Sequence, residues 1–145
     1  WQPTDPDPVA RASIEAWRGE CRGDVRPALA LDVTADPWPV TRADAVVCIN
    51  MVHIAPWEAT EALLRGAARV LGPGGVLFLY GAYKRGGVHT APSNESFDAW
   101  LREKNPAFGV RDLEAVVERA EAEGFALREV IEMPANNLSV IFARS

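Results

Sequence analysis

A chain of 145 residues is long enough to bury one substantial core, and no run of eighteen apolar residues is present to cross a membrane as a helix. The net charge of −5 argues against an electrostatic footprint for nucleic acid over the whole domain. Cys21 and Cys48 stand at no metal or redox spacing and no targeting signal is visible, so a reducing, cytoplasmic setting is the expectation.

The first predicted element is a helix in "DPDPVARASIEAWRGE", with Asp7 as N-cap and Pro8 at the first helical position. Val9, Ile14 and Trp17 supply part of an apolar face. "ALALDVT" reads as a short strand ending in polar residues. "DAVVCINMVHI" reads as a longer strand whose apolar centre, Ala45 to Ile49, runs into Asn50, with Cys48 packed as a small hydrophobe. After Pro56, "WEATEALLRGAARVL" places Leu63, Leu64, Ala67, Val70 and Leu71 at spacings of three and four, a helical stripe. Gly72, Pro73, Gly74 and Gly75 stop it.

"VLFLY" follows, continuously apolar, as expected of a parallel strand covered on both faces. The irregular "GAYKRGGVHTAPSN" then leads into an amphipathic segment carrying Phe97, Trp100 and Leu101, stopped by Asn105 and Pro106. Residues 82–109 thus form an insertion of the length associated with function rather than connection. "VRDLEAVVERAEAEGF" is a clear helix, with Leu113, Val116, Val117 and Ala120 on one face and Gly124 as its stop. "FALREVIEMPANNLSVIFARS" reads as two strands joined at "PANN", an antiparallel pair at the sheet edge that makes the C-terminal strand an edge strand. The alternation gives one domain over residues 1–145, an open α/β sheet of the Rossmann-like kind.

Ligands of such sheets sit at the carboxyl ends of the strands, and those ends are polar here. Asp5 is placed to accept both hydroxyls of a ribose; capping the next helix is the competing role, for which Asp7 is better placed. Asp32 is placed to accept an adenine amino proton beside the Val33 amide, or else is an ordinary solvated loop carboxylate. His53, after a strand, suits a general base or a group that orients a nucleophile, against the plainer reading of a histidine satisfied by the backbone. His89 is the second candidate for acid–base work.

The insertion gathers Lys84, Arg85, His89, Thr90, Ser93 and Asn94 beside two glycines that could act as hinges, which suits a substrate loop for an anionic group, against the plainer reading of an ordinary solvated loop. Tyr83, Trp57 and Asn136, with Asn137 next to it, complete the candidate substrate residues. Trp57 either walls the pocket or merely packs, and asparagine is also what tight turns prefer. No metal is expected, since His53 and His89 lack a Cys or second His at ligand spacing.

Together, "WQPTDPDP", "ALDVTADPWPV", "ADAVVCINMVHIAPWEAT", "LGPGGVLFLYGAYKRGGVHTAPSN" and "MPANNLSVIF" resemble, over essentially the whole chain, the methyltransferase-like family known as domain of unknown function 938. The "INMVHIAPWEAT", "YKRGGVHTAPSN" and "MPANNLS" segments are its specific part. The resemblance implies a class I S-adenosylmethionine (SAM)-dependent methyltransferase fold: a seven-stranded sheet with its final strand antiparallel. It implies that Asp5 ends the second strand at the cofactor ribose, that Asp32 and Val33 flank the adenine, and that Asn50, Met51 and the residues up to His53 line the cofactor cavity. The methyl acceptor, expected to be a small molecule, is not supplied by it.

Class I methyltransferases carry a first strand and an E-x-G-x-G loop ahead of the ribose carboxylate, and neither lies within this sequence. A partial domain is therefore expected, with weak or no cofactor binding and with self-association through the sheet edge that a missing central strand would expose. Two other functions stay open: a non-catalytic methyltransferase-like interaction module, and a dinucleotide-dependent oxidoreductase, which shares the sheet and the ribose acid. No G-x-S-x-G elbow or Walker loop is present.

Overall fold

The computed structural model describes residues 1–145. It resolves into two compact units, Trp1–Thr41 and Arg42–Ser145.

In the first unit, helix α1 (Pro8–Arg18) starts as the sequence dictates: the Asp7 carboxylate accepts the Val9 N–H at 2.8 Å and Pro8 opens the first turn. Its expected apolar face is not covered. Val9 is 74% and Trp17 66% exposed, and the helix has no buried residue. The strand expected in "ALALDVT" is reduced to a single parallel bridge between Thr4 and Leu29, extended by hydrogen bonds from Asp5 N to Leu29 O and from Leu31 N to Asp5 O. Pro3, Pro6 and Pro27 bracket these stretches, and proline has no N–H with which to lengthen a ladder.

The second unit is built on a four-stranded sheet, β1 (Ala43–Ile49), β2 (Leu71–Gly81), β5 (Phe125–Met133) and β6 (Asn137–Arg144), in the order β1-β2-β6-β5. β1 runs parallel to β2, while β6 is antiparallel to both β2 and β5. The antiparallel C-terminal strand therefore lies one place in from the edge, with β5 outside it. Four strands, rather than the seven implied by the resemblance, make this sheet.

Helix α2 (Trp57–Val70) packs on β2, α4 (Leu113–Ala122) packs on β5, and the two helices touch. The α2 stripe is as expected, with Leu63, Leu64, Ala67, Val70 and Leu71 all buried. Cys48 of β1, Leu77 and Leu79 of β2, and Val140 and Phe142 of β6 share one sheet face through the strand register and are buried. The opposite face differs from the expectation of a doubly covered strand: Val76, Phe78 and Tyr80 are only partly covered, and Val47 and Ile49 of β1 are 37% and 60% exposed. A run such as "VLFLY" supplies apolar groups to both faces, but burial of the second needs a layer that residues 42–145 do not provide.

The insertion is more ordered than a loop. Lys84–Arg85 (β3) and Val88–His89 (β4) form a small hairpin, followed by α3 (Pro92–Lys104). Gly86 and Gly87 take φ of +56° and +78° at its tip, the left-handed geometry that a two-residue hairpin requires. They are not hinges: Gly86 N–H donates to Glu114 at 3.0 Å and Gly87 N–H to Asp112, fastening the tip to α4.

Candidate functional site

Asp5 and Asp32 lie in the first unit, at the same end of its two parallel stretches. Asp5 Oδ1 accepts the Asp7 N–H at 2.8 Å, so Asp5 shapes the entry to α1 with one oxygen and leaves the other open. Asp32 is exposed, and its Oδ1 accepts both the Thr34 hydroxyl at 2.7 Å and the Thr34 N–H at 2.9 Å. Those two donors, the hydroxyl first, hold its carboxyl below the usual range. The Val33 carbonyl is taken by Trp38 Nε1 at 3.1 Å.

In the second unit, the end of β1 turns sharply. Asn50 has φ of +59°, its N–H donates to Tyr80 O at 2.8 Å, and its carbonyl accepts the His53 N–H at 2.9 Å. Asparagine tolerates this left-handed conformation better than other side-chain-bearing residues. Met51 is half-buried, with its N–H donated to Ile49 O at 2.8 Å. The turn brings His53 over Gly81 at the end of β2. A methyl group on Gly81 would lie 2.5 Å from His53 Nε2, 2.7 Å from its Cδ2 and 3.1 Å from Asn50 Oδ1, so glycine alone permits this approach.

His53 is completely buried, and its Nδ1 accepts the Arg111 N–H at 3.2 Å. The neutral ring must then carry its proton on Nε2, which has no hydrogen-bond partner. Burial first, and the Arg111 charge second, depress its pKa to about 4. At neutral pH His53 is thus an uncharged N–H donor, the geometry of a backbone-anchored histidine rather than of a poised base.

Tyr83 stands edge-on to it, with ring centroids 4.8 Å apart. It is also fully buried, its hydroxyl is unpartnered, and burial raises its pKa. Trp57 opens α2 half-buried, its ring 5.9 Å from the Arg111 guanidinium carbon.

The insertion's charges are organised by a residue the sequence reading missed. Asp98, nearly buried on α3, lies 3.2 Å from Lys84 Nζ, 3.3 Å from His89 Nε2 and 3.3 Å from Arg102 Nε, and accepts the Val110 N–H at 2.7 Å. Burial opposes its charge, but the Val110 N–H, Lys84 and Arg102 outweigh that cost and hold its pKa below the usual range. Lys84 and His89, opposite each other across the hairpin, are therefore tied to a carboxylate. Arg85 stays exposed.

Asn94 is buried and donates through Nδ2 to Thr90 Oγ1 at 3.1 Å and to Asn136 O at 3.0 Å, while Asn136 Nδ2 donates to Ser93 Oγ at 3.0 Å. The "PANN" turn is thereby stitched to the start of α3. Three groupings result: Asp5 with Asp32 in the first unit, and, in the second, Asn50 to His53 with Tyr83 and Trp57, and the hairpin with Ser93, Asn94 and Asn136. Arg111 and Gly81 were also not singled out in the sequence. The one signal for Asp98 was its place four residues ahead of Arg102 on a helix.

The fold has solved relatives. Over 99% of its length the chain is similar to an O-methyltransferase family protein from Burkholderia thailandensis (TM-score 0.83, 15% identity), of which it covers 43%. It is similar in the same way to the SAM-dependent methyltransferase SibL in its apo form (TM-score 0.77, 19% identity, 99% of this chain and 42% of that one). A third is LepI in complex with SAM (TM-score 0.78, 13% identity, 99% and 36%). At these identities the likeness is one of fold, and the chain spans less than half the length of each. The α/β architecture with its antiparallel C-terminal strand is that of class I methyltransferases, and a match over residues 1–144 shows that the chain belongs to the family described as "Protein of unknown function (DUF938)".

Proposed function

We propose that this chain is part of a SAM-dependent methyltransferase acting on a small molecule. The observation that carries the reading is the similarity of fold, over 99% of the chain, to proteins that include a SAM-dependent methyltransferase and a SAM complex. The residues fit the cofactor's chemistry. Asp5 keeps an open carboxylate oxygen for a ribose hydroxyl, and Asp32 would meet the adenine beside Val33. In the second unit, Asn50 and Met51 are the candidate cofactor residues, at the turn after β1. When bound, SAM supplies an activated methyl group.

The protein's part in such a transfer is alignment and exclusion of water, which does not need a strong base. His53, neutral and buried, serves it by holding the turn through its bonds to Asn50, Gly109 and Arg111. Lys84 and His89 of the insertion, residues 82–109, are held in place by Asp98, which leaves Arg85 and the hydrogen-bonded pair Ser93 and Asn136 to meet a polar acceptor, with Tyr83, Trp57 and Asn94 as the remaining candidate substrate residues.

Calorimetric titration of S-adenosylhomocysteine into this chain, and into a version extended ahead of Trp1, tests the reading. Binding in either that Asp5→Ala weakens about tenfold or more is expected, a loss on the scale of one charge-assisted hydrogen bond. Absence of binding in both overturns it and favours an interaction module; binding of NAD in its place would favour the oxidoreductase.

A further inference from the structure

Arg111 sits just ahead of α4 and makes contacts in two directions. Toward the turn after β1, its N–H donates to His53 Nδ1 at 3.2 Å, its Nε to Val52 O at 2.9 Å and its Nη2 to Ala55 O at 2.6 Å. Toward the insertion, Nη2 also donates to Ala107 O at 2.8 Å and the Arg111 carbonyl accepts the Lys84 N–H at 2.9 Å. Gly109 N–H, two residues earlier, donates to His53 O at 2.9 Å, and the guanidinium lies against the Trp57 ring. Three backbone carbonyls from two segments, Val52 and Ala55 after β1 and Ala107 in the insertion, are thus met by one rigid planar fork. A lysine ammonium, a point charge on a flexible stem, cannot reproduce that arrangement.

We infer that Arg111 is a positioning residue whose guanidinium fixes the turn carrying Asn50, Met51 and His53 to the Ala107 end of the insertion, and so fixes the main-chain carbonyl that holds Lys84 of the β3–β4 hairpin, so that turn and hairpin move as one body. Its functional meaning rests on the reading above, in which the turn belongs to the cofactor side and the hairpin to the substrate side. An acceptor meeting the hairpin would then be felt at the turn after β1 through hydrogen bonds rather than through the sheet.

Amide hydrogen exchange followed by NMR on the whole chain tests this, comparing wild type with Arg111→Lys and Arg111→Ala. Loss of the fork is expected to speed exchange of the His53, Gly109 and Lys84 amides by about tenfold or more in both variants, with the β5–β6 amides changed by less than about twofold, the signature of local opening. Arg111→Lys, which keeps the charge and the stem, is the deciding variant. An unchanged pattern in it, or a uniform acceleration across the sheet, overturns the inference.

A second readout adds S-adenosylhomocysteine. In wild type, protection is expected at residues 50–54 and at 84–89 together, and in Arg111→Lys only at 50–54; protection at both in the variant overturns the coupling. Should neither wild type nor the version extended ahead of Trp1 bind S-adenosylhomocysteine, the methyltransferase reading fails, while the ligand-free exchange comparison still decides the role of Arg111.

Discussion

At the scale of single residues, His53 and Gly81 define each other. Gly81→Ala would place a methyl 2.5 Å from His53 Nε2, and the forced shift is expected to cost about 1–3 kcal/mol, read from urea denaturation. His53 also makes stability depend on pH in a direction that can be worked out. Its folded pKa of about 4 lies below the ordinary value of 6.5, so above pH 6.5 both states are neutral and its full contribution is present. As pH falls from there toward 4, the unfolded chain takes a proton that the folded one refuses, and stability is lost. Between pH 7.5 and 4.5 wild type should therefore lose about 2–3 kcal/mol more than His53→Gln, checked by denaturation at each pH. The sequence placed His53 at a strand end correctly, but the tautomer follows from the Arg111 N–H, a partner 58 residues away.

Among the elements, those with local instructions formed as read. Asp7 and Pro8 start α1, Asn105 caps the end of α3, and the α2 stripe is buried. Asp7→Ala is expected to cost α1 about 1 kcal/mol, visible as a loss of helical signal at 222 nm on mild heating. The hairpin is a different case, because its charges were legible but their pairing was not. Lys84 and His89 looked like an anion site until Asp98, from the next helix, came between them. Asp98→Asn keeps the shape and removes the charge. It should destabilise by about 1–3 kcal/mol and release the hairpin, with faster exchange at Gly86 and Gly87; an unchanged hairpin would mean that the Asp112 and Glu114 contacts to its tip suffice.

Over the whole molecule, the order β1-β2-β6-β5 leaves β1 paired through one edge only, beside the exposed Val47 and Ile49. An unpaired strand edge is a template for another chain. We propose that copies of this chain associate through β1, and expect a concentration-dependent rise in mass by sedimentation velocity that Val47→Lys diminishes. A strictly monomeric chain at high concentration would refute it. No helix is long and apolar enough to cross a membrane.

The sequence by itself determined the alternation of helices and strands, the caps, the antiparallel C-terminal pair and the family, because each is written in spacings of a few residues or in continuous motifs. Only the tertiary structure decided which apolar faces are covered, how short the pairing at Leu29 is, and which partners His53, Lys84 and His89 find. Those outcomes depend on burial and on groups brought together from distant parts of the chain. Asp98 and Arg111 acquire their roles through such contacts, which no local pattern encodes.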